Sequence, residues 1–247
     1  MIIISKISNL PLFEKNFTER NIIVNNTPLN ILERSESLSL KFLDSDERKR
    51  IERLPINSQV RADKLWTRIL LKKLYTKSCN MEENDIKYIT IVNSNEKNIR
   101  GLPYMNYKNK LCPVRLSISH CDGRVGVALR TNLCGLDIVK LFTPQEHMEE
   151  SFIHYAFSAG ERMQLSDKTV SEKLEYMTLM WGIKEAVSKY LGCGLVYGPA
   201  TIEVIFNEAK SVDLNIHPQI IGYEHINNLN IYYYWNIHRD FCHVYVE

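Results

Sequence analysis

The chain has 247 residues, 45% of them hydrophobic and 24% charged, with a formal net charge of +2. That is enough apolar material for one large or two smaller domains, each with a core of its own. The near-neutral balance excludes a whole-molecule attraction to nucleic acid, and no apolar run approaches the roughly 20 residues that span a bilayer, so any electrostatic recognition must be local.

In chain order, the opening MIIISKISNLPLF is broken by Ser5, Lys6 and Asn9. It has neither the basic segment nor the long apolar run of a signal peptide and reads as a first strand. Residues 44–54 (DSDERKRIERL) form a short charged helix, with Asp44 or Ser45 as N-cap and Pro55 as its stop. Residues 59–75 form a stronger helix, with Ala62, Leu65, Trp66, Ile69 and Leu70 on one face. Arg61, Lys64, Arg68 and Lys72 run along its flank. They make either a solvated edge or a cationic wall for a phosphate ligand, a task that suits the arginine fork. Residues 87–92 (KYITIV) alternate like a strand. Residues 96–110 are a polar loop carrying Arg100-Gly101-Leu102-Pro103. Residues 115–119 and 124–130 are strands around the turn HCDG, and residues 133–139 (LCGLDIV) are another. Helices follow over 152–165 and 174–191, and then three strands, TIEVIF, IYYYWNI and FCHVYVE. Helices set among strand pairs with short turns predict an α+β fold with antiparallel sheets. The least compact stretch, 96–113, suggests two domains, 1–113 and 114–247.

Five polar residues stand out. Ser119 and His120 end a strand, where side chains are held by the sheet yet reach open space. Ser119 can donate to a phosphate oxygen, and His120 can hydrogen-bond or, when protonated, pair with one. The plainer alternative is a histidine that merely lines a turn. A serine hydrolase is disfavoured, because adjacent strand residues face opposite sides and no GxSxG surrounds Ser119. Asp137 lies inside an apolar strand, where a buried carboxylate needs a cation, a donor or a metal, unless it turns to solvent at the strand end. In the helix 174–191, the stripe of Leu174, Thr178 and Trp181 continues into Glu185 and then Lys189, before Gly192 ends it. The six cysteines form no CxxC pair. They read as reduced thiols of a cytoplasmic protein, with a nucleophilic Cys121 beside His120 as the alternative. One or two carboxylates plus substrate phosphates are how proteins hold Mg²⁺. Asp137 and Glu185, with Arg61, Ser119, His120 and Lys189 around the phosphates, therefore suggest phosphoryl-type chemistry on a polyphosphate ligand.

The order LSISH, CGLDI, FSAGE and WGIKEAVSKYLGCGL resembles the 4′-phosphopantetheinyl transferases, in particular the longer type that activates peptide and polyketide synthetases. The likeness spans residues 44–206 and rests on four motifs in order: Ser119-His120, Gly135-x-Asp137, Phe157-Ser158-x-x-Glu161, and Trp181 through Lys189. The resemblance implies a monomer of two similar α+β halves with coenzyme A and Mg²⁺ in the cleft between them. It implies transfer of the 4′-phosphopantetheine arm of coenzyme A to a serine of an acyl or peptidyl carrier protein, with adenosine 3′,5′-bisphosphate as the other product. Asp137 and Glu185 become the metal ligands and Lys189 the contact to pyrophosphate. Arg48, Arg61, Ser119 and His120 become contacts to coenzyme A. Two departures are visible. Many members of this type carry a glutamate two residues after the metal aspartate, where this chain has Val139, which opens the alternative of an inactive homologue that only binds coenzyme A or a carrier. The basic residue often found after the loop glycine is Leu102 here, and Arg100 is the candidate to replace its charge. No nucleic-acid or membrane partner is expected.

Overall fold

Asp44 caps the first helix whose bounds are described, α1 (Ser45–Glu52). Its carboxylate accepts from the N–H groups of Asp46 and Glu47 at 2.8 and 2.9 Å, while the Glu47 side chain accepts from the Asp44 N–H at 3.2 Å. This reciprocal capping box satisfies donors that the first turn leaves unpaired. The coordinates are a computed structural model, which describes residues 22–26, 40–56, 58–93, 102–147, 149–206, 212–216, 233–238 and 240–247. The expected first strand at the N-terminus and Arg100 lie outside the described residues.

The chain divides into two compact units, with the division between Ile138 and Val139. In the first unit, α1 is followed by the long helix α2 (Gln59–Ser78), capped by Ser58. A 3₁₀ turn (Glu83–Tyr88) then leads into β2 (Ile89–Asn93), so the strand expected from residue 87 begins two residues later. The polar loop expected over 96–110 contains two strands, β3 (Pro103–Tyr107) and β4 (Lys110–Leu111), which pair antiparallel in the order β2–β3–β4. A second antiparallel sheet has the order β1–β6–β5, from β1 (Ile22–Asn26), β5 (Arg115–Cys121) and β6 (Arg124–Arg130). Leu70, Leu71 and Leu74 of α2 cluster with Ile89, Ile91, Met105, Val125 and Val127 of these strands. Ala62, Leu65 and Ile69 cover Ile51 of α1. The β5–β6 hairpin shares the α2 core, which places the division later than the expected boundary at 113/114.

Strand β7 (Gly135–Lys140) runs through the division. In the second unit the helix expected over 152–165 is two helices, α4 (Glu150–Ala156) and α5 (Ala159–Gln164), after a short α3 (Pro144–His147). Phe157 is extended and Ser158 caps α5 with its own capping box to Glu161, so a break divides an otherwise helical pattern. The long helix α6 (Val170–Leu191) starts four residues before the expected 174, at a Thr169–Glu172 capping box. It ends on Gly192 at φ +74°, a left-handed C-terminal residue that favours glycine. Strands β8 (Ile202–Phe206) and β9 (Val212–Ile216) pair, and β10 (Tyr233–His238) and β11 (Phe241–Val246) form a sheet in the order β10–β11–β7. Strand β9 was missed by the sequence pattern. Met177, Met180, Ile183 and Val187 of α6 pack into one cluster with Val204, Leu214 and Val244.

Each unit holds the same internal device. In the first, Glu47 at the third position of α1 takes the Lys72 ammonium at 2.5 Å and the Ile91 N–H at 3.0 Å, and Lys72 also donates to the Phe42 carbonyl at 2.9 Å. In the second, Glu161 at the third position of α5 takes the Lys184 ammonium at 2.6 Å and the Val204 N–H at 2.8 Å, and Lys184 donates to the Ala156 carbonyl at 2.8 Å. In both cases the carbonyl belongs to the residue two before the N-cap, and the lysine comes from the unit's long helix. The two units therefore share an α+β plan down to a buried, fully hydrogen-bonded ion pair.

Candidate functional site

Strand β5 delivers the Ser119-His120 pair, and the two side chains do different work, as the alternation of a strand requires. Ser119 is 5% exposed. Its hydroxyl donates to Asp137 Oδ1 at 2.8 Å and accepts from the Ile138 N–H at 3.0 Å. One register step earlier, Ser117 accepts from the Leu136 N–H at 2.7 Å. Two serines on one face of β5 thus dock β7. Ser119 thereby holds Asp137, a carboxylate 6% exposed, in place. Asp137 accordingly has a partner, as its burial demanded.

His120 points the other way. Its side chain is 54% exposed, with Nδ1 3.9 Å from Asp63 Oδ2. It lines a cleft of about 540 Å³ together with Arg50, Lys64, Thr67, Arg68 and Ile91. Of the four cations on the flank of α2, Lys64 and Arg68 reach this cleft. Arg61 and Lys72 turn inward: Arg61 donates to the carbonyls of Leu54 at 2.8 Å and Glu52 at 3.4 Å, closing the end of α1, and Lys72 is the partner of Glu47. The reason is angular. Winding at about 100° per residue puts Lys72 nearest the apolar stripe and Lys64 furthest from it. Arg61 thus closes the end of α1 and is not among the residues lining the cleft. Arg48 is exposed and donates to the Leu40 carbonyl at 2.9 Å. Arg50, which the sequence reading passed over, joins the cleft instead.

The cleft is rich in cationic side chains. Arg68 Nε is buried without a hydrogen-bond acceptor, 3.8 Å from Glu47 Oε1. Burial pulls the Arg68 guanidinium below its usual value, against the pull of Glu47. An unsatisfied buried donor is costly, and a ligand oxygen would relieve it.

On α6, Glu185 and Lys189 are half-buried and follow Trp181, also half-buried, along the expected stripe. Thr178 is fully buried, donating to the Leu174 carbonyl at 2.6 Å and accepting from the Phe142 N–H at 2.9 Å. The neighbouring Lys184 was not singled out from sequence, yet it and Glu161 are fully buried. Burial pushes the Glu161 carboxyl up and the Lys184 ammonium down, and their mutual attraction opposes both. The pair fixes the rotation of α6 from which Glu185 and Lys189 project. Val139 lies in the core, where α6 comes close at Gly182: a Cβ there would meet Val139 Cγ2 at 3.3 Å and Val244 Cγ2 at 2.9 Å. Position 139 thus supplies packing and no ligand. Among the described residues, no three His, Cys, Asp or Glu side chains gather into a metal-holding group. No helix among the described residues is long and apolar enough to cross a membrane.

Comparison with known proteins adds a name. Residues 133–241 match the model of the 4′-phosphopantetheinyl transferase superfamily. Among solved structures, the chain is similar to a holo-(acyl-carrier-protein) synthase from Bacillus anthracis in complex with coenzyme A (3′,5′-ADP), at 23% identity over 46% of this chain and 92% of that one, with a TM-score of 0.38. It is also similar to the holo-[acyl-carrier-protein] synthases of Neisseria meningitidis (15% identity, 46% and 94% covered, TM-score 0.40) and Helicobacter pylori, the latter in complex with coenzyme A (18%, 46% and 97%, TM-score 0.39). At these low scores the three structures add no weight. No curated protein matches the chain. The matched stretch holds Asp137, Glu161, Lys184, Glu185 and Lys189. Over residues 133–241 the chain is therefore similar to the 4′-phosphopantetheinyl transferase superfamily.

Proposed function

We propose that the chain transfers the 4′-phosphopantetheine arm of coenzyme A to a serine hydroxyl of an acyl or peptidyl carrier protein and releases adenosine 3′,5′-bisphosphate. The observation that carries this reading is the family match over 133–241, which contains the carboxylates and lysines that a pyrophosphate-cleaving transfer requires. The cationic cleft with the unsatisfied Arg68 Nε supports it.

In this reading Arg50, Lys64, Arg68 and His120 take the adenosine-side phosphates. Lys189 reaches the pyrophosphate, where its ammonium offsets the charge that grows on the leaving phosphate. Glu185 accepts the proton of the carrier serine as its oxygen attacks the β-phosphorus in line; the new Oγ–P bond forms as the bond to the bridging pyrophosphate oxygen breaks. Ser119 keeps Asp137 oriented throughout. Asp137 and Glu185 would hold Mg²⁺, which when bound neutralises charge on the pyrophosphate. We place the protein in the cytoplasm as a monomer, in line with six cysteines that form no CxxC pair.

Val139 favours one second reading, a homologue that binds coenzyme A or a carrier without transfer. Incubating the purified chain with coenzyme A, Mg²⁺ and an apo carrier, and following adenosine 3′,5′-bisphosphate by chromatography, separates the two. Release that depends on the carrier supports transfer; bound coenzyme A with no release supports the second reading.

A further inference from the structure

A half-exposed histidine at a strand end is free to change rotamer unless something holds its ring. At His120 the structure supplies that hold from α2. Asp63 is 4% exposed, and its Oδ2 lies 3.9 Å from His120 Nδ1. Its other oxygen, Oδ1, accepts from Gln59 Nε2 at 2.7 Å, one helical turn back. Gln59 is itself held against the turn that follows His120: its amide lies 3.7–3.8 Å from where a Cβ would stand on Gly123, a left-handed position at φ +78°. His120 also lines the cleft, together with Lys64 and Arg68. A buried carboxylate beside a basic cleft weakens anion binding unless it serves another group there. Here the served group is the imidazole.

We propose that Asp63, held by Gln59, is a positioning residue for His120: its carboxylate, 3.9 Å behind Nδ1, orients the ring so that Nε2 is offered to a phosphate in the cleft. The ring then lies between Asp63 behind and the phosphate in front. This inference rests on the proposed reading that the cleft takes the ribose phosphate of coenzyme A.

The test compares coenzyme A with dephospho-coenzyme A, which lacks the ribose 3′-phosphate, across wild type, Asp63→Ala, Asp63→Asn, His120→Ala and the Asp63→Ala/His120→Ala double variant. KM for coenzyme A should rise about fivefold in each alanine variant, the effect of one lost hydrogen bond. It should rise no further in the double variant, with kcat within about twofold of wild type. KM for dephospho-coenzyme A should not change. Asp63→Asn, which keeps an oxygen of similar position behind the ring, should recover part of the loss. Equal losses for both substrates, or multiplying losses in the double variant, would overturn the positioning role. Should Asp63→Ala fail to fold, Gln59→Ala and Asp63→Asn make the same comparison, judged by the same substrate split. Direct binding of adenosine 3′,5′-bisphosphate to the wild type separates the two levels: no binding sinks the proposed function and this inference together, whereas tight binding that Asp63→Ala leaves unaltered sinks this inference alone.

Discussion

Replacing Lys184 with methionine should unfold the second unit at a much lower temperature. Lys184 is fully buried, with its ammonium 2.6 Å from Glu161 and 2.8 Å from the Ala156 carbonyl. Methionine fills much of the same volume but carries no donor. Glu161 would keep the N–H groups of Ser158 and Val204, at 2.7 and 2.8 Å, and lose the cation at 2.6 Å. Stranding one member of a buried pair costs about 3–5 kcal/mol. At about 2–4 °C per kcal/mol for a chain of this size, the midpoint of the thermal transition should fall by roughly 6–20 °C. Circular dichroism against temperature measures it. Glu161→Gln added to Lys184→Met should restore at least half of the loss, because the neutral amide no longer needs a counter-charge. A single variant within about 2 °C of wild type would refute the reasoning, and so would a double variant less stable than the single.

Other outcomes follow from the same structure. Asp137→Ala or Glu185→Ala should lower turnover by at least about a hundredfold while leaving the circular dichroism spectrum intact; near-full activity at low Mg²⁺ would disprove the metal assignment. Lys189→Ala should lower kcat more than it weakens coenzyme A binding, and an unchanged rate would mean that the ammonium only meets solvent. Arg61→Ala should cost about 1 kcal/mol of stability through the lost bonds to α1 and leave KM for coenzyme A unchanged, whereas Lys64→Ala should raise that KM without loss of stability, a contrast read by calorimetry and initial rates. Finally, burial raises the Glu161 carboxyl above its ordinary 4.5. The folded chain then holds more proton there than the unfolded chain between 4.5 and the raised value, so the stability this group contributes is present below 4.5 and declines as pH rises through that window. The stability difference between wild type and Glu161→Gln, measured in urea, should shrink over that range; a difference that grew with pH would reverse the sign.

Much of this architecture could be read from residues alone, and the failures have physical causes. The caps at Asp44 and the glycine stop at Gly192 are local chemistry, so α1 and the end of α6 lie where the pattern puts them. The break at Phe157-Ser158 was hidden because the apolar spacing continues across it, and only the Ser158–Glu161 capping box marks it. Strands β3 and β4 sit in a polar stretch whose pairing is decided by partners distant in sequence. The polar stripe from Trp181 to Lys189 was legible as an oddity, since a carboxylate rarely continues an apolar face without a purpose. Arg61 and Lys72 misled because a flank spaced like a wall spans a wide arc, and its inner members close the fold. Asp63 carried no signal at all: a lone acid on a basic helix acquires meaning only when His120 is brought beside it.

The central claim is transfer of phosphopantetheine, and the intact mass of a carrier protein tests it most directly. An apo carrier incubated with the chain, coenzyme A and Mg²⁺ should gain the mass of one phosphopantetheine group, and the same carrier with its acceptor serine changed to alanine should gain nothing. A wild-type carrier whose mass stays unchanged, across several acyl and peptidyl carriers and with coenzyme A bound to the chain, would contradict the account.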